Sequence, residues 1–180
     1  MPHRLRGFTL IEALVALLVT GVLLGVAVPA WSGALEAAHA TSARAMLLES
    51  LTRSISHAAL TGSEVVLCPG DPDGCRNSID WSGGWIAFAD IDGNRRRDAN
   101  ETLLSHQPAL TGRVHLRSTL GRTRLVFQPN GGNAGSNVTF TLCDGRGAAR
   151  AATLVLANDG RLRGGTPTAS AAQACLVAMN

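Results

Sequence analysis

The chain has no lysine and no tyrosine among its 180 residues, and only three Trp and four Phe. All sixteen basic side chains are therefore arginines. Arg is the better residue for bidentate contact with a phosphate. With no Tyr, and no aromatic between the paired arginines near residue 160, there is no platform on which exposed bases could stack. Any nucleic-acid contact would fall on phosphates instead. There are four Cys, but no two have C-x-x-C spacing, and the five His are scattered. That argues against a zinc site. No set of nucleophile, base and orienting residue is visible, so no enzyme and no cofactor is expected. No internal repeat is present.

Charge is nearly absent from Phe8 to Trp31, where Glu12 is the one charged residue. The rest of that run is mostly Leu, Val, Ala, Gly and Ile. A bilayer core needs about 20 apolar residues as helix, so the run is long enough to span it. Arg4 and Arg6 precede it, which places the N-terminus in the cytoplasm and the remainder across the membrane. A carboxylate at membrane depth is costly and usually has a task. The stretch from Pro29 to Ala34 is a weak match to a secretory cleavage site. Gly21, Gly25 and Pro29 fit close helix packing and a local kink.

Beyond Trp31 the pattern stays helical. Leu47, Leu51, Ile55 and Ala58 form an apolar stripe at spacings of three and four, and Gly62 is a fitting C-cap. Past Gly62 short β-type segments alternate with Gly, Pro, Asn and Asp. Strands are expected near residues 64–68, 84–90, 102–106, 114–118, 123–127, 138–143 and 152–157. A last short strand is expected near 174–179, with a loop over 164–172. Trp81, Trp85 and Phe88 read as core.

The four Cys are Cys68, Cys75, Cys143 and Cys175. An even count in an exported domain reads as disulfides, with three connectivities open. Cys68–Cys75, closing a tight loop, and Cys143–Cys175, stapling the C-terminal segment, are favoured. The net charge of +3 hides an asymmetry. Residues 36–101 hold six Arg against ten acids, net −4, whereas 102–180 hold eight Arg against Asp144 and Asp159, net +6. Such asymmetry suits a polyanionic partner, or simply solvated strand faces. Arg161 and Arg163 stand two apart after the turn signal Asn158-Asp159-Gly160, so on a strand they project to one side. Arg146 and Arg150 could extend that patch. Asp90, Asp92, Asn94, Asp98 and Glu101 occupy positions one, three, five, nine and twelve of a calcium-type loop. Arg95 stands at position six, where the sharp turn calls for Gly, and Arg95, Arg96 and Arg97 would repel a cation. No metal is therefore expected.

The junction Gly7-Phe8-Thr9-Leu10-Ile11-Glu12 resembles the prepilin peptidase site of type IV pilins and type II secretion pseudopilins. The resemblance implies cleavage after Gly7, N-methylation of Phe8, and an assembly role for Glu12, whose carboxylate would pair with the free amine of a neighbouring subunit's Phe8. Further on, Cys68, Cys75, Trp81, Gly84, Trp85, Phe88, Asp90, Phe127, Gln128, Pro129, Gly131, the stretch Phe140 to Cys143, and Gly160, Arg161, Leu162 and Arg163 resemble the GspH/FimT pseudopilin family in order and spacing. The implied fold is α+β, a pilin fold in which a long N-terminal transmembrane helix packs on a C-terminal antiparallel β-sheet or sandwich head. The implied organisation is a leader over 1–7, an assembly helix over 8–31, its amphipathic continuation over 32–62, and a β head over 63–180. FimT-like minor pilins bind DNA for natural transformation through a Gly-Arg-x-Arg motif, which falls here on Gly160, Arg161 and Arg163. The expected partners are then double-stranded DNA through its phosphate backbone, other pilins, prepilin peptidase and the inner membrane. The head would lie in the periplasm, then at the cell surface on a pilus. The rivals are a type II secretion pseudopilin, an assembly-priming minor pilin without DNA binding, and a membrane-anchored calcium or adhesion module.

Overall fold

The computed structural model describes residues 9–177. Gly7 and Phe8, expected at the processing junction, lie outside them, as do Arg4 and Arg6. The chain divides in sequence after Leu35 into two units.

Helix α1 (Leu10–Thr61) opens on Thr9, whose hydroxyl accepts the Glu12 N–H at 3.3 Å. This is an N-cap. In the first unit an 18-residue window of α1 has a mean hydropathy of 2.5 and no buried residue. It is long and apolar enough to cross a membrane. Glu12 is exposed there. Pro29 removes one bond of the helix ladder without ending the helix.

In the second unit α1 becomes one-sided. Ala40, Ala43, Leu47, Ser50, Leu51, Ser54 and Ala58 are buried, at helical spacing. The helix stops at Gly62, whose φ of +72° lets its N–H turn back to the Ala58 carbonyl at 3.0 Å. Glycine takes that left-handed cap without a Cβ penalty.

Two antiparallel sheets follow. The first contains β1 (Glu64–Asp71), β2 (Gly74–Cys75), β3 (Trp85–Asp90), β4 (Leu103–Gln107) and β6 (Leu125–Phe127). β1 pairs with β2, β3 and β6, and β4 lies beyond β3. The second has the order β5 (Val114–Ser118), β7 (Val138–Asp144), β8 (Ala152–Leu156), β9 (Leu162–Gly165). Strand alternation sorts the first sheet's side chains into two layers. Val65, Leu67, Trp85, Ala87, Leu125 and Phe127 join Leu47 and Leu51 of α1 and Leu116, Phe140 and Leu154 of the second sheet in one core. Val66, Cys68, Ile86, Phe88 and Val126 pack on the opposite face. Trp81 stacks edge-on to Phe140 with centroids 5.1 Å apart, and the Trp85 indole N–H donates to Ser50 Oγ at 2.9 Å. That bond accounts for a serine on the buried stripe of α1.

Disulfides join Cys68 to Cys75 and Cys143 to Cys175. The C-terminal expectations need correction. The segment 164–172 is not one loop, because β9 extends to Gly165, and α2 (Ala169–Val177) replaces the expected strand near 174–179. Thr168 caps α2 by accepting the Ala171 N–H at 3.2 Å, and the alanines that follow are the strongest helix formers. Ala172 and Cys175 face the sheet and pack on Cys143 and Ala151.

Candidate nucleic-acid interface

The turn between β8 and β9 carries the paired arginines. Ala157 N–H donates to the Arg161 carbonyl at 2.9 Å and Gly160 N–H to the Ala157 carbonyl at 3.0 Å, closing a tight hairpin. Gly160 sits at φ +81°, and a Cβ there would stand 2.6 Å from the Gly131 carbonyl. Both facts require glycine. The neighbouring loop buttresses the turn: Asn133 N–H donates to the Asn158 carbonyl at 2.8 Å, and Asn158 N–H to Asn137 Oδ1 at 3.0 Å.

Strand register gives the surface around the turn. Arg163 lies opposite Val155, and Val155 opposite Thr139; Gly165 lies opposite Thr153, Thr153 opposite Thr141, and Thr141 opposite Arg117. Directly opposed residues share a face. The outer face of the second sheet therefore carries Thr139, Thr141 and Thr153 between Arg117 and Arg163. With the 166–168 segment and α2 these threonines line a groove of about 580 Å³. Hydroxyls and guanidiniums are the usual contacts to phosphate.

The arginines are not equivalent. Arg163 is exposed, and among the described residues it has no ion-pair partner. Arg161 is exposed but turned onto Asp159, with its Nη2 2.6 Å from Oδ2. Hydrogen bonds from Arg161 hold the Asp159 carboxyl below the usual carboxylate range. Arg117 donates to the Ala174 carbonyl of α2 at 2.8 Å.

Arg146 and Arg150 do not join this patch. They lie before β8, in and after the turn that follows β7, at the opposite end of β8 from the 157–161 hairpin. Arg146 is also committed to Asp144 through Nε at 2.9 Å and Nη2 at 2.7 Å. Burial raises the Asp144 carboxyl, but those bonds outweigh it and hold it low. Arg44 of α1, which the sequence does not single out, does not join the patch either: it lies beside Gly164, whose side-chain direction on β9 is opposite to that of Arg163. Its Nη2 would stand 2.8 Å from a Cβ on Gly164, so α1 brings a guanidinium beside β9. Helix packing supplies that contact, and no local motif signals it.

No set of nucleophile, base and orienting residue is visible in the sequence, but the fold does bring a Ser and a His together. Ser82 Oγ lies 2.7 Å from His115 Nδ1, and His115 Nε2 lies 3.7 Å from Asp80. The Ser82 hydroxyl also accepts the Leu116 N–H at 3.0 Å, so it ties its loop to β5. Burial, opposed by Asp80, lowers the His115 pKa and favours the neutral ring. For metal, Asp90, Asp92 and Glu101 are the one group of acidic, His or Cys side chains, among the described residues, close enough to share an ion.

The chain is similar to known proteins over most of its length. Residues 3–28 match the prokaryotic N-terminal methylation motif, and residues 45–160 match the family described as type II transport protein GspH. The pilin-like protein PilA1 of Thermus thermophilus is 31% identical over 166 residues, covering 88% of this chain and 97% of that protein. Among solved structures, the type IV minor pilin FimU of Pseudomonas aeruginosa aligns with a TM-score of 0.54 at 16% identity, covering 77% of this chain and 92% of its own. The minor pseudopilin EpsH from the Type 2 Secretion System of Vibrio cholerae aligns at 0.52 and 14% identity, covering 72% of this chain and 98% of its own. The GspH match ends at Gly160, so Arg161 and Arg163 stand just beyond it. An apolar helix behind a methylation motif, a helix-backed antiparallel head and these relatives lead to one assignment: the chain belongs to the GspH family of pilin-like proteins.

Proposed function

We propose that this protein is a minor type IV pilin of the FimT kind that captures double-stranded DNA outside the cell during natural transformation. It is no enzyme and needs no cofactor. The observation that carries the reading is the exposed Arg163, without an ion-pair partner among the described residues, next to Arg161 on a glycine-fixed turn at the rim of a threonine-lined groove. Gly160 shapes the turn, and Arg161 and Arg163 contact backbone phosphates. Binding of this type is salt-sensitive and indifferent to sequence. Arg146 and Arg150, remote along β8, contribute long-range charge at most. Prepilin peptidase cleaves after Gly7, Phe8 is methylated, and Glu12 pairs with a neighbour's amine in the filament. The helix over 8–31 is the assembly and membrane segment, with the head in the periplasm before export.

The similarity to EpsH supports a second reading, a type II secretion pseudopilin that touches no DNA. One experiment separates the two. The head, residues 36–180, is titrated with duplex DNA across a salt series beside Arg161→Ala/Arg163→Ala. The DNA reading expects affinity that falls with salt. In the double mutant the log–log slope should flatten by about 0.9 for each phosphate that is no longer neutralised. Equal slopes for both proteins, or no binding at low salt, favour the pseudopilin. In cells, deletion should abolish transformation.

A further inference from the structure

We propose that the β3–β4 loop is a calcium site built on Asp90, Asp92 and Glu101. An oxygen from each of these three carboxylates lies within 4.8 Å of the others. Asp90 is only 2% exposed and Glu101 5%.

Hydrogen-bond donors are unevenly shared in this cluster. Asp90 Oδ2 accepts the Arg95 N–H at 3.1 Å. Glu101 Oε1 accepts the Ile91 N–H at 3.0 Å, and Oε2 accepts the Asp98 N–H at 3.1 Å. Asp90 Oδ1 is buried and, among the described residues, meets no donor at hydrogen-bonding geometry. A buried carboxylate oxygen without a partner is costly, and two further carboxylates beside it increase the cost. A cation would remove it.

The arginines of the same loop do not fill that role. Arg95, Arg96 and Arg97 follow the acids directly, yet among the described residues none forms an ion pair with them; the three ion pairs lie at Asp80, Asp144 and Asp159. Arg95, Arg96 and Arg97 instead line a separate cavity with Asp73 and Arg124. Arg97 donates to the Asp98 carbonyl, and Arg124 donates to the Arg95 carbonyl at 3.1 Å. Arginine at position six is no obstacle either. Arg95 adopts φ +60°, the turn that position demands, and its N–H reaches back to Asp90.

The donor set indicates the ion. It is all oxygen, which suits calcium or magnesium and not a thiophilic metal. Three carboxylates on one irregular loop suit calcium, whose coordination is large and adaptable, over magnesium, which demands a tight octahedron. The Asn94 amide NH₂ lies 2.7 Å from both Asp92 Oδ2 and Asp98 Oδ2, bridging them as the positive end of a dipole.

The test is thermal unfolding of the detergent-solubilised full chain in EGTA, in 10 mM (about ten- to a hundredfold above a typical extracellular calcium Kd) CaCl₂, and in the same concentration of MgCl₂. Calcium should raise Tm by about 4 °C, with magnesium giving less than half of that. Equilibrium dialysis with radioactive calcium should find one ion per chain. Asp92 is exposed, so Asp92→Asn should melt with the parent in EGTA and lose the calcium increment. No rise with calcium, an equal rise with magnesium, or a full increment in Asp92→Asn overturns the proposal.

Discussion

Arg161 and Arg163 look alike in the sequence and differ in the fold, because Asp159 neutralises one of them. The counter-ion is two residues from Arg161, in a segment whose Asn-Asp-Gly signature announces only a turn. The pairing has a direction in pH. The Asp159 carboxyl is held low, so it stays charged and keeps Arg161 occupied well into the acid range. As the pH falls through that depressed value the carboxylate is protonated, and the ion pair's contribution to the fold disappears, while Arg161 becomes available to phosphate. DNA affinity at constant ionic strength should therefore rise on acidification. Asp159→Asn should bind several-fold more tightly at neutral pH and gain less on acidification than the parent, since Asn keeps the turn bond to the Arg161 N–H but not the charge. Fluorescence anisotropy from pH 7 downward checks this, and a parent profile no steeper than the mutant's would refute it.

Among the elements, those with a strong local period are legible in the sequence. The stripe from Leu47 to Ala58 marks the second half of α1, and the alternation in Val138 to Cys143 marks β7. The two-residue β2 and the edge strand β9 are not legible, because Gly74, Gly164 and Gly165 carry no hydrophobic pattern; pairing alone defines them. Helix α2 reads as a strand because Leu176 and Val177 suggest one, while Thr168 and the alanines dictate a helix. The groove is legible only in part, since Arg117, Thr141 and Thr153 meet through register between distant segments. Cys143–Cys175 holds α2 on this sheet. Breaking it with Cys143→Ser/Cys175→Ser should cost about 3 kcal/mol. A denaturant midpoint, together with faster amide exchange in α2 than in β7, would verify both the destabilisation and its location. Uniform loss of protection throughout the head would argue against a local staple.

On the scale of the whole molecule, two tasks fall on different parts of the chain. Under the proposed function, assembly would depend on an apolar helix with one carboxylate, and capture on the exposed guanidiniums of the head. Weak phosphate contacts from several subunits on one filament would combine by avidity. Replacing Glu12 by Ala should then leave salt-dependent DNA binding by the detergent-solubilised full chain unchanged. It should lower recovery of the protein in sheared pili several-fold on immunoblots; normal recovery would remove Glu12 from assembly.

The bond between Cys143 and Cys175 also closes a covalent ring, and β8, β9 and the arginine turn all lie within it. A protease outside the cell that cuts after exposed Arg161 or Arg163 opens the ring without releasing a fragment. Both new ends stay tethered through sulfur, and β8 and β9 remain hydrogen-bonded to their neighbours. The exposed arginine turn is thus a segment whose cleavage the molecule can survive as a single piece.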